Sequence, residues 1–557
     1  MEDRGVESPG PRRRPRSWFA TVWSPLTVRI ACHVAVVTPF LVACGLGMAR
    51  GWGPQGDDAV IIFRSWAVLS SQPPLVGMYT HVVGTNLPVY DPGPMLFWFL
   101  TIPVHLDHLQ GGLWGAALTC VLALCLAVEA AWSALRWRGA LAVVAVVLLM
   151  VAEFPALAID PTWNAHMGLV WFVAVAATAW AVATGHLRWW PVLVLAASFA
   201  TQCHLMFALG SIACVVVAPL VGLIRVRKLG WWLPVGAVVG VACWIVPVIQ
   251  ELANNPGNMT LIWRSLHTKQ STTGGAFGLQ TLAASVGPHP IWWGRGEDPT
   301  ANVGVLDPAI HSHPAWVGVA ILVFLALCAA VAFFARRLEL AALALVTLLL
   351  SVAMVWTFAS LPMSQFIFSF PYLDAGSWPV GMLVLIVLGW SVVELIVAGA
   401  RWFRSWAGSG AGHRAGGAAL GPGLGHLVVA VVAVVFVVAL VASSVGVSND
   451  SANNDNPTSG WPVMNQVQRL TATIERVVPR GRLLVLPPGG FTASYSAITG
   501  IDWLLYSDGW RPESPTGFVT LMGPQIAITH PLPPYTARVL YTVQGTGRVT
   551  ITRTPAR

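Results

Sequence analysis

Apolar runs of about 17 to 25 residues recur along this 557-residue chain, each long enough as a helix to cross a hydrocarbon core of roughly 30 Å. Hydrophobic residues make up 56% of the sequence and charged residues only 10%, too few to cover a soluble fold of this size with polar surface. The chain therefore reads as a polytopic, all-α membrane protein. Its formal charge of +8 does not point to nucleic acid, because Lys and Arg fall in short clusters between the apolar runs, where they act as topology signals. The eight Cys residues lie in or at the ends of those runs without metal or redox spacing, as small core residues do.

The charge clusters order the spans. Residues 1–26 form a basic cytoplasmic N-terminus with Arg12, Arg13, Arg14 and Arg16, and the first run, Thr27 to Met48, reads as a retained signal anchor. Residues 27–448 form the transmembrane domain, with a first outer loop over 50–112 and a second large outer loop over 250–314. Within the first loop, Asp91 to Leu106 is apolar but short and bounded by prolines, so we expect an interfacial helix rather than a span. With that choice every later basic cluster falls inside. The remaining spans are Leu113–Leu135, Ala140–Ile159, Met167–Thr184, a tight pair over Trp190–Ile224 with its tip near Gln202 and His204, Trp231–Ile249, Ala315–Ala335, Leu338–Leu361, Trp378–Ala400 and Leu427–Val447. That makes about eleven. Ala407 to Gly425 reads as a flexible cytoplasmic linker. Residues 449–557 are more polar and read as a small external α/β domain: a helix carrying Val463, Val467, Leu470, Ile474 and Val477, a strand over Arg482–Leu486, and a hairpin of Val539–Val543 with Arg548–Thr552 across Gln544–Gly547.

Under this topology the unusual polar residues gather at the external face. Asp57 and Asp58 follow a Gly/Pro turn in the first loop, where a carboxylate can accept a proton from a hydroxyl, hold a divalent cation such as Mg, Mn or Ca, or simply cap a helix. Asp160, Trp163, Asn164 and His166 form the group DPTWNAH, able to stack on a sugar ring and bind its hydroxyls, or to make an interfacial turn. Gln202 and His204 suit either substrate binding or capping, and Gln250 and Glu251 suit either binding or a helix end followed by a turn. Arg64, Arg264, Lys269 and Arg295 are cations outside the positive-inside pattern and candidates for a phosphate, with loop solvation as the alternative.

An early acidic pair in a long first outer loop, the segment YDPGPMLFWFL containing Tyr90, about eleven spans and an external C-terminal domain resemble the GT-C class of membrane glycosyltransferases. The likeness is to the bacterial branch related to protein mannosyltransferases, lipid A aminoarabinose transferases, and envelope arabinofuranosyl- and mannosyltransferases. It implies a bacterial inner-membrane enzyme that transfers a hexose or pentose, with inversion, from a polyprenyl-phosphate donor to a glycan, lipid or protein hydroxyl outside the membrane. The base would be Asp57 or Asp58, and Tyr90 would line the site. The sequence departs from the class where several relatives place a Lys before Pro-Pro; here the residues are Asp91-Pro92-Gly93-Pro94, which leaves phosphate recognition to Arg64 or a loop cation. No P-loop is present. Rival readings are a transporter or flippase of a lipid-linked glycan, which would need polar groups at the bilayer midplane, and a glycan polymerase or ligase relying on external Arg.

Reporter fusions test the topology: those after Arg138, Lys228, Arg337 and Arg404 should report cytoplasm, and those after Asp160 and Ser448 the outside. An external signal at Arg138 would mean that Asp91 to Leu106 crosses the membrane.

Overall fold

In lipid a backbone N–H or C=O finds no water, so a spanning segment has to satisfy its own hydrogen bonds, and the apolar runs do so as helices. The computed structural model describes residues 25–80, 88–227, 230–267, 271–288, 290–292, 310–362, 376–408, 441, 443–448, 461–478, 480–486, 491–513, 520–527, 537–542 and 548–553. In chain order the helices are α1 (Pro25–Ala49), α2 (Gly56–Ala67), α3 (Met95–Leu106), α4 (Gly111–Glu153), α5 (Asn164–Ala183), α6 (Trp190–Cys203), α7 (Ala208–Val226), α8 (Trp232–Ala253), α9 (Asn258–Leu266), α10 (Gly274–Ala284), α11 (Ala315–Phe334), α12 (Leu338–Ala359), α13 (Trp378–Gly408), α14 (Trp461–Val477) and α15 (Phe491–Ser507). Lys269, Arg295, Gln544–Gly547 and most of the expected linker and last span fall outside the described residues.

Eight helices among the described residues are long and apolar enough to cross a membrane, fewer than the eleven or so spans expected. Three physical facts account for the difference. The 43-residue α4 is about two spans long, and Leu135 and Arg136 leave helical geometry in its middle, so it contains both Leu113–Leu135 and the start of the next run. Residue 139 lies against the carbonyl of Ala131, which marks a tight reversal at that break. α6, at 14 residues, is too short to qualify alone, although the pair with its tip at Gln202 and His204 is present as α6 and α7. The run Leu427–Val447 is only partly described. The run Ala140–Ile159 is also interrupted: α4 stops at Glu153, and Pro155 precedes a separate turn, Ala156–Ile159.

The basic clusters at span ends have a backbone role as well. Arg136, Arg227 and Arg336 each adopt a φ between 54° and 57°, and Arg227, with a ψ of 23°, takes the left-handed conformation that ends α7. A cation there also complements the negative end of the helix dipole.

α3 is a 12-residue apolar helix, about 18 Å long and too short to span, consistent with an interfacial segment. It packs with α2, and before it β1 (Tyr79–Thr80) pairs antiparallel with β2 (Val89–Tyr90). Beyond α14, β3 (Arg482–Leu486), β4 (Arg511–Glu513), β5 (Ala537–Thr542) and β6 (Arg548–Arg553) form one sheet in the order β4-β3-β5-β6. β3 runs parallel to β4 and β5, while β5 and β6 form an antiparallel ladder with Val539 opposite Ile551.

This C-terminal segment does not stand apart from the first loop. α15 lies on α2: Trp503 and Tyr506 meet Phe63 at ring distances of 6.0 and 4.8 Å, and Trp503 donates to the His108 carbonyl at 2.9 Å. Gln468 of α14 donates to the Gly51 carbonyl at 2.9 Å. Gly500 sits so close to the Pro54 carbonyl that a Cβ would lie 2.6 Å from it. Gly500→Val should therefore push α15 off α2, destabilise the chain by about 1–3 kcal/mol and expose the C-terminal segment to protease. Unchanged melting and digestion in detergent would show that this packing does not hold the segment in place.

Candidate functional site

α2 begins at Gly56, whose φ of +53° turns the chain out of Gly53-Pro54-Gln55 and places Asp57 and Asp58 in the first helical turn. The N-cap is Gln55 and makes no side-chain cap bond, so the acidic pair is not there as a cap. Its charge does suit the positive end of the α2 dipole. Successive helical residues point about 100° apart, and the two carboxyls accordingly meet different neighbours.

Asp57 is partly exposed and accepts two neutral hydrogen bonds, from the Tyr495 hydroxyl to Oδ1 at 2.5 Å and from the Trp163 indole to Oδ2 at 2.9 Å. Asp58, 7% exposed, lies beside Asp160. Burial raises the pKa of Asp57, opposed by the hydrogen bonds from Tyr495 and Trp163. Burial raises Asp58 well above the usual carboxylate range, and the Asp160 charge and the hydrogen bond between the two carboxyls raise it further. Asp160 is also raised by burial, with His166 and the shared hydrogen bond acting the other way. Asp58 and Asp160 thus form a carboxyl pair suited to sharing one proton. Among the described residues, one oxygen of each and Nε2 of His166 have no hydrogen-bond partner. The other His166 ring nitrogen lies 2.7 Å from the Asp160 carbonyl, and its ring packs edge-on against Trp163.

A second polar layer supports this one. Asp91, 1% exposed, accepts from Thr80 and from Asn164 Nδ2, each at 3.2 Å, and Asn164 also donates to the Cys203 carbonyl. Gln202 accepts from the Met95 N–H and donates to the Cys243 carbonyl. Asn258 exchanges hydrogen bonds with the Tyr90 backbone in both directions, and its own N–H is accepted by Gln250 Oε1. Asn164, Gln202 and Gln250 are therefore engaged in holding loops and helix ends together.

Arg64 is 7% exposed and donates to the Leu521 and Val76 carbonyls, with its guanidinium over the rings of Phe97 and Tyr90. Burial lowers its pKa to about 10, which leaves it charged at neutral pH. Among the described residues it has no carboxylate in an ion pair, and its Nε has no partner. Tyr90 reaches the C-terminal segment as well, donating to the Thr520 carbonyl at 3.0 Å.

Other expected binders have local roles. His204 Nδ1 accepts from the Met206 N–H at 3.2 Å, which is a cap on the turn Leu205–Phe207. Glu251 accepts from the backbone of Met259 and from Thr260, capping the start of α9, because an acidic side chain there satisfies free N–H groups. Arg264 is exposed on α9. Lys269 lies outside the described residues. For metal binding, no group of three or more His, Cys, Asp or Glu side chains among the described residues stands where it could hold an ion. Both oxygens of Asp57 already accept hydrogen bonds, and the carboxyls that face one another are Asp58 and Asp160.

Asp91, Asn258 and Tyr495 were not identified as site residues from sequence. Asp91 stands in the singled-out DPGP segment, but Tyr495 is 438 positions from its partner, and no local pattern marks it. Deeper in the bundle, Val143, Val173, Trp180, Leu343 and Leu383 line an apolar recess.

The fold is that of a polytopic helical membrane protein with a polar cluster built where its first loop meets its C-terminal segment. No family model and no curated protein matches the chain. Among solved structures it is similar to ArnT from Cupriavidus metallidurans in the apo state, at 15% identity and a TM-score of 0.46, over 94% of this chain and 93% of that one. It is also similar to the apo oligosaccharyltransferase of Archaeoglobus fulgidus, at 13% identity and a TM-score of 0.38, over 88% of this chain and 64% of that one. A third similar structure is AglB from the same organism with an inhibitory peptide and a dolichol-phosphate, at 12% identity and a TM-score of 0.38, over 92% of this chain and 65% of that one.

The raised pKa of Asp58 fixes a sign. A carboxyl whose folded pKa lies above its unfolded value of about 4 contributes stability below that value, and the contribution is lost as pH rises through the folded pKa. Asp58→Asn should therefore melt about 1–3 °C above wild type at neutral pH, and the gap should close as pH falls toward about 4. A gap that widens on acidification would show that Asp58 is stabilised as the anion.

Proposed function

We propose that the protein is a membrane glycosyltransferase that moves a hexose or pentose from a polyprenyl-phosphate donor to a glycan, lipid or protein hydroxyl, at the external face of a bacterial inner membrane. The observation that carries this proposal is Asp57: a partly exposed carboxylate, aimed by Trp163 and Tyr495, next to a second acidic pair. A base has to be ionised and reachable. Asp57 meets both conditions better than Asp58, which is buried and raised further by Asp160. A carboxylate offers about four lone-pair positions, so two accepted hydrogen bonds leave room for a substrate proton.

In the reaction, the acceptor oxygen attacks the anomeric carbon as its proton passes to Asp57. The bond from that carbon to the phosphate oxygen breaks on the opposite face, and its electron pair leaves with the polyprenyl phosphate. One displacement inverts the anomeric centre. The leaving phosphate gains negative charge, and Arg64, a buried cation with an unpartnered Nε, is the group assigned to meet it. Trp163, which is partly exposed, provides ring surface for the sugar.

The transporter reading needs a charged site near the midplane. Among the described residues, the cluster of Arg29 and His33 with Glu129 begins at the fifth residue of α1, close to a helix end.

The test is single-turnover transfer in detergent with a panel of radiolabelled polyprenyl-phosphate sugars. Asp57→Asn keeps the size of the side chain and removes its basicity, so turnover should fall by about 10²- to 10⁴-fold while donor binding changes little. Wild-type rates in both Asp57→Asn and Asp58→Asn would eliminate the acidic pair as the catalytic centre.

A further inference from the structure

The C-terminal segment reaches the candidate base itself. The Tyr495 hydroxyl, projecting from α15, is 2.5 Å from Asp57 Oδ1, and the helix that carries it is held at several points along the first loop. One turn further on, Thr499 Oγ1 donates to the Gly56 carbonyl at 3.2 Å, at the residue that starts α2. Gly500 then seats on Pro54, and Trp503 and Tyr506 pack on Phe63 two turns below Asp57. On the same face of α2, Arg64 donates to the Leu521 carbonyl at 3.3 Å. Residues seven apart on a helix are about 20° apart in direction, so Asp57 and Arg64 both present to the C-terminal segment.

We propose, on the basis of the glycosyltransferase reading above, that Tyr495 is a positioning residue for Asp57, so that the site is complete only while the C-terminal segment is docked on α2. Two donors hold the two oxygens of Asp57 from opposite sides, Trp163 from the transmembrane bundle and Tyr495 from the C-terminal segment. With either removed the carboxyl can rotate, and its orientation toward an acceptor hydroxyl is lost. The arrangement also gives the segment a function distinct from shaping an acceptor surface: it carries part of the catalytic geometry.

The groups that face Asp57 are Asp58 on its own helix, Asp160 and Trp163 from the turn before α5, and Tyr495 from α15. Of these, Tyr495 and Trp163 favour the anion and the two carboxyls oppose it. Removing the Tyr495 donor therefore makes Asp57 harder to ionise, and it should titrate at higher pH.

The experiment is an infrared titration of the protonated-carboxyl stretch in the full-length protein in detergent, with the Asp57 band assigned by its loss in Asp57→Asn. Tyr495→Phe should move the midpoint of that band up by about one pH unit. Thr499→Val, which removes a neighbouring contact of the same interface but leaves the phenol, should leave it within about 0.2 unit of wild type, where a purely structural role would move both alike. Incorporating a fluorinated tyrosine at position 495 keeps the side-chain shape and strengthens the donor, so the midpoint should move down. An unmoved midpoint in Tyr495→Phe, equal shifts in Tyr495→Phe and Thr499→Val, or no downward shift with the fluorinated ring would overturn the proposal. These readings need no substrate, so they are separable from the transfer assay: wild-type transfer in Asp57→Asn defeats the glycosyltransferase reading, while the titration decides whether Tyr495 governs Asp57.

Discussion

A carboxylate taken out of water needs either a cation or several hydrogen-bond donors, and this protein holds Asp57 with donors alone. Trp163 and Tyr495 are neutral, and each keeps one oxygen of Asp57 in place without neutralising its charge. The choice has a chemical consequence. An Arg or Lys in contact would depress the basicity of the carboxylate by pairing with it, whereas neutral donors orient it and leave burial to keep its basicity high. The cation of the same helix, Arg64, is two turns away and surrounded by carbonyls and rings, so the positive and negative groups of α2 remain separate.

The remaining polar groups follow from the same constraint. Asp58 and Asp160 lie beside each other as a carboxyl pair, and Asp91 is satisfied by Thr80 and Asn164. Asn258 and Gln202 satisfy backbone groups of Tyr90 and Met95, and Gln250 in turn accepts from the Asn258 N–H. These side chains come from the first loop, from the start of α5 and the turn before it, from the end of α6, and from the last turn of α8 and the first residue of α9, so the network also fastens the short helices α2 and α3 to the spans. A loop otherwise free to move becomes a fixed wall of the site.

The C-terminal segment completes that wall. It contributes an aromatic contact, Trp503 and Tyr506 on Phe63, and polar contacts at Gly51, Gly56, His108, Arg64 and Tyr90. Such a mixture of buried rings and carbonyl hydrogen bonds gives a docked position with defined orientation, because each donor accepts only a narrow range of geometry.

By itself the sequence determined the class of architecture, because solvent imposes it: apolar runs of span length leave no soluble alternative, and the short, proline-flanked stretch up to Leu106 reads as interfacial rather than as a span. It also singled out Asp57, Asp58, Asp160, Trp163 and His166, since polar residues are rare in such a chain and each stands out from its surroundings. Roles were another matter. Glu251 and His204 look like site residues in one dimension and prove to cap helix starts and turns, as the distances to Thr260 and Met206 show. The pairing of Asp58 with Asp160, the orientation of Asp57, and the part played by Tyr495 were decided only by tertiary structure. A hydrogen bond depends on distance and angle between groups that here stand 438 positions apart, and sequence spacing carries neither.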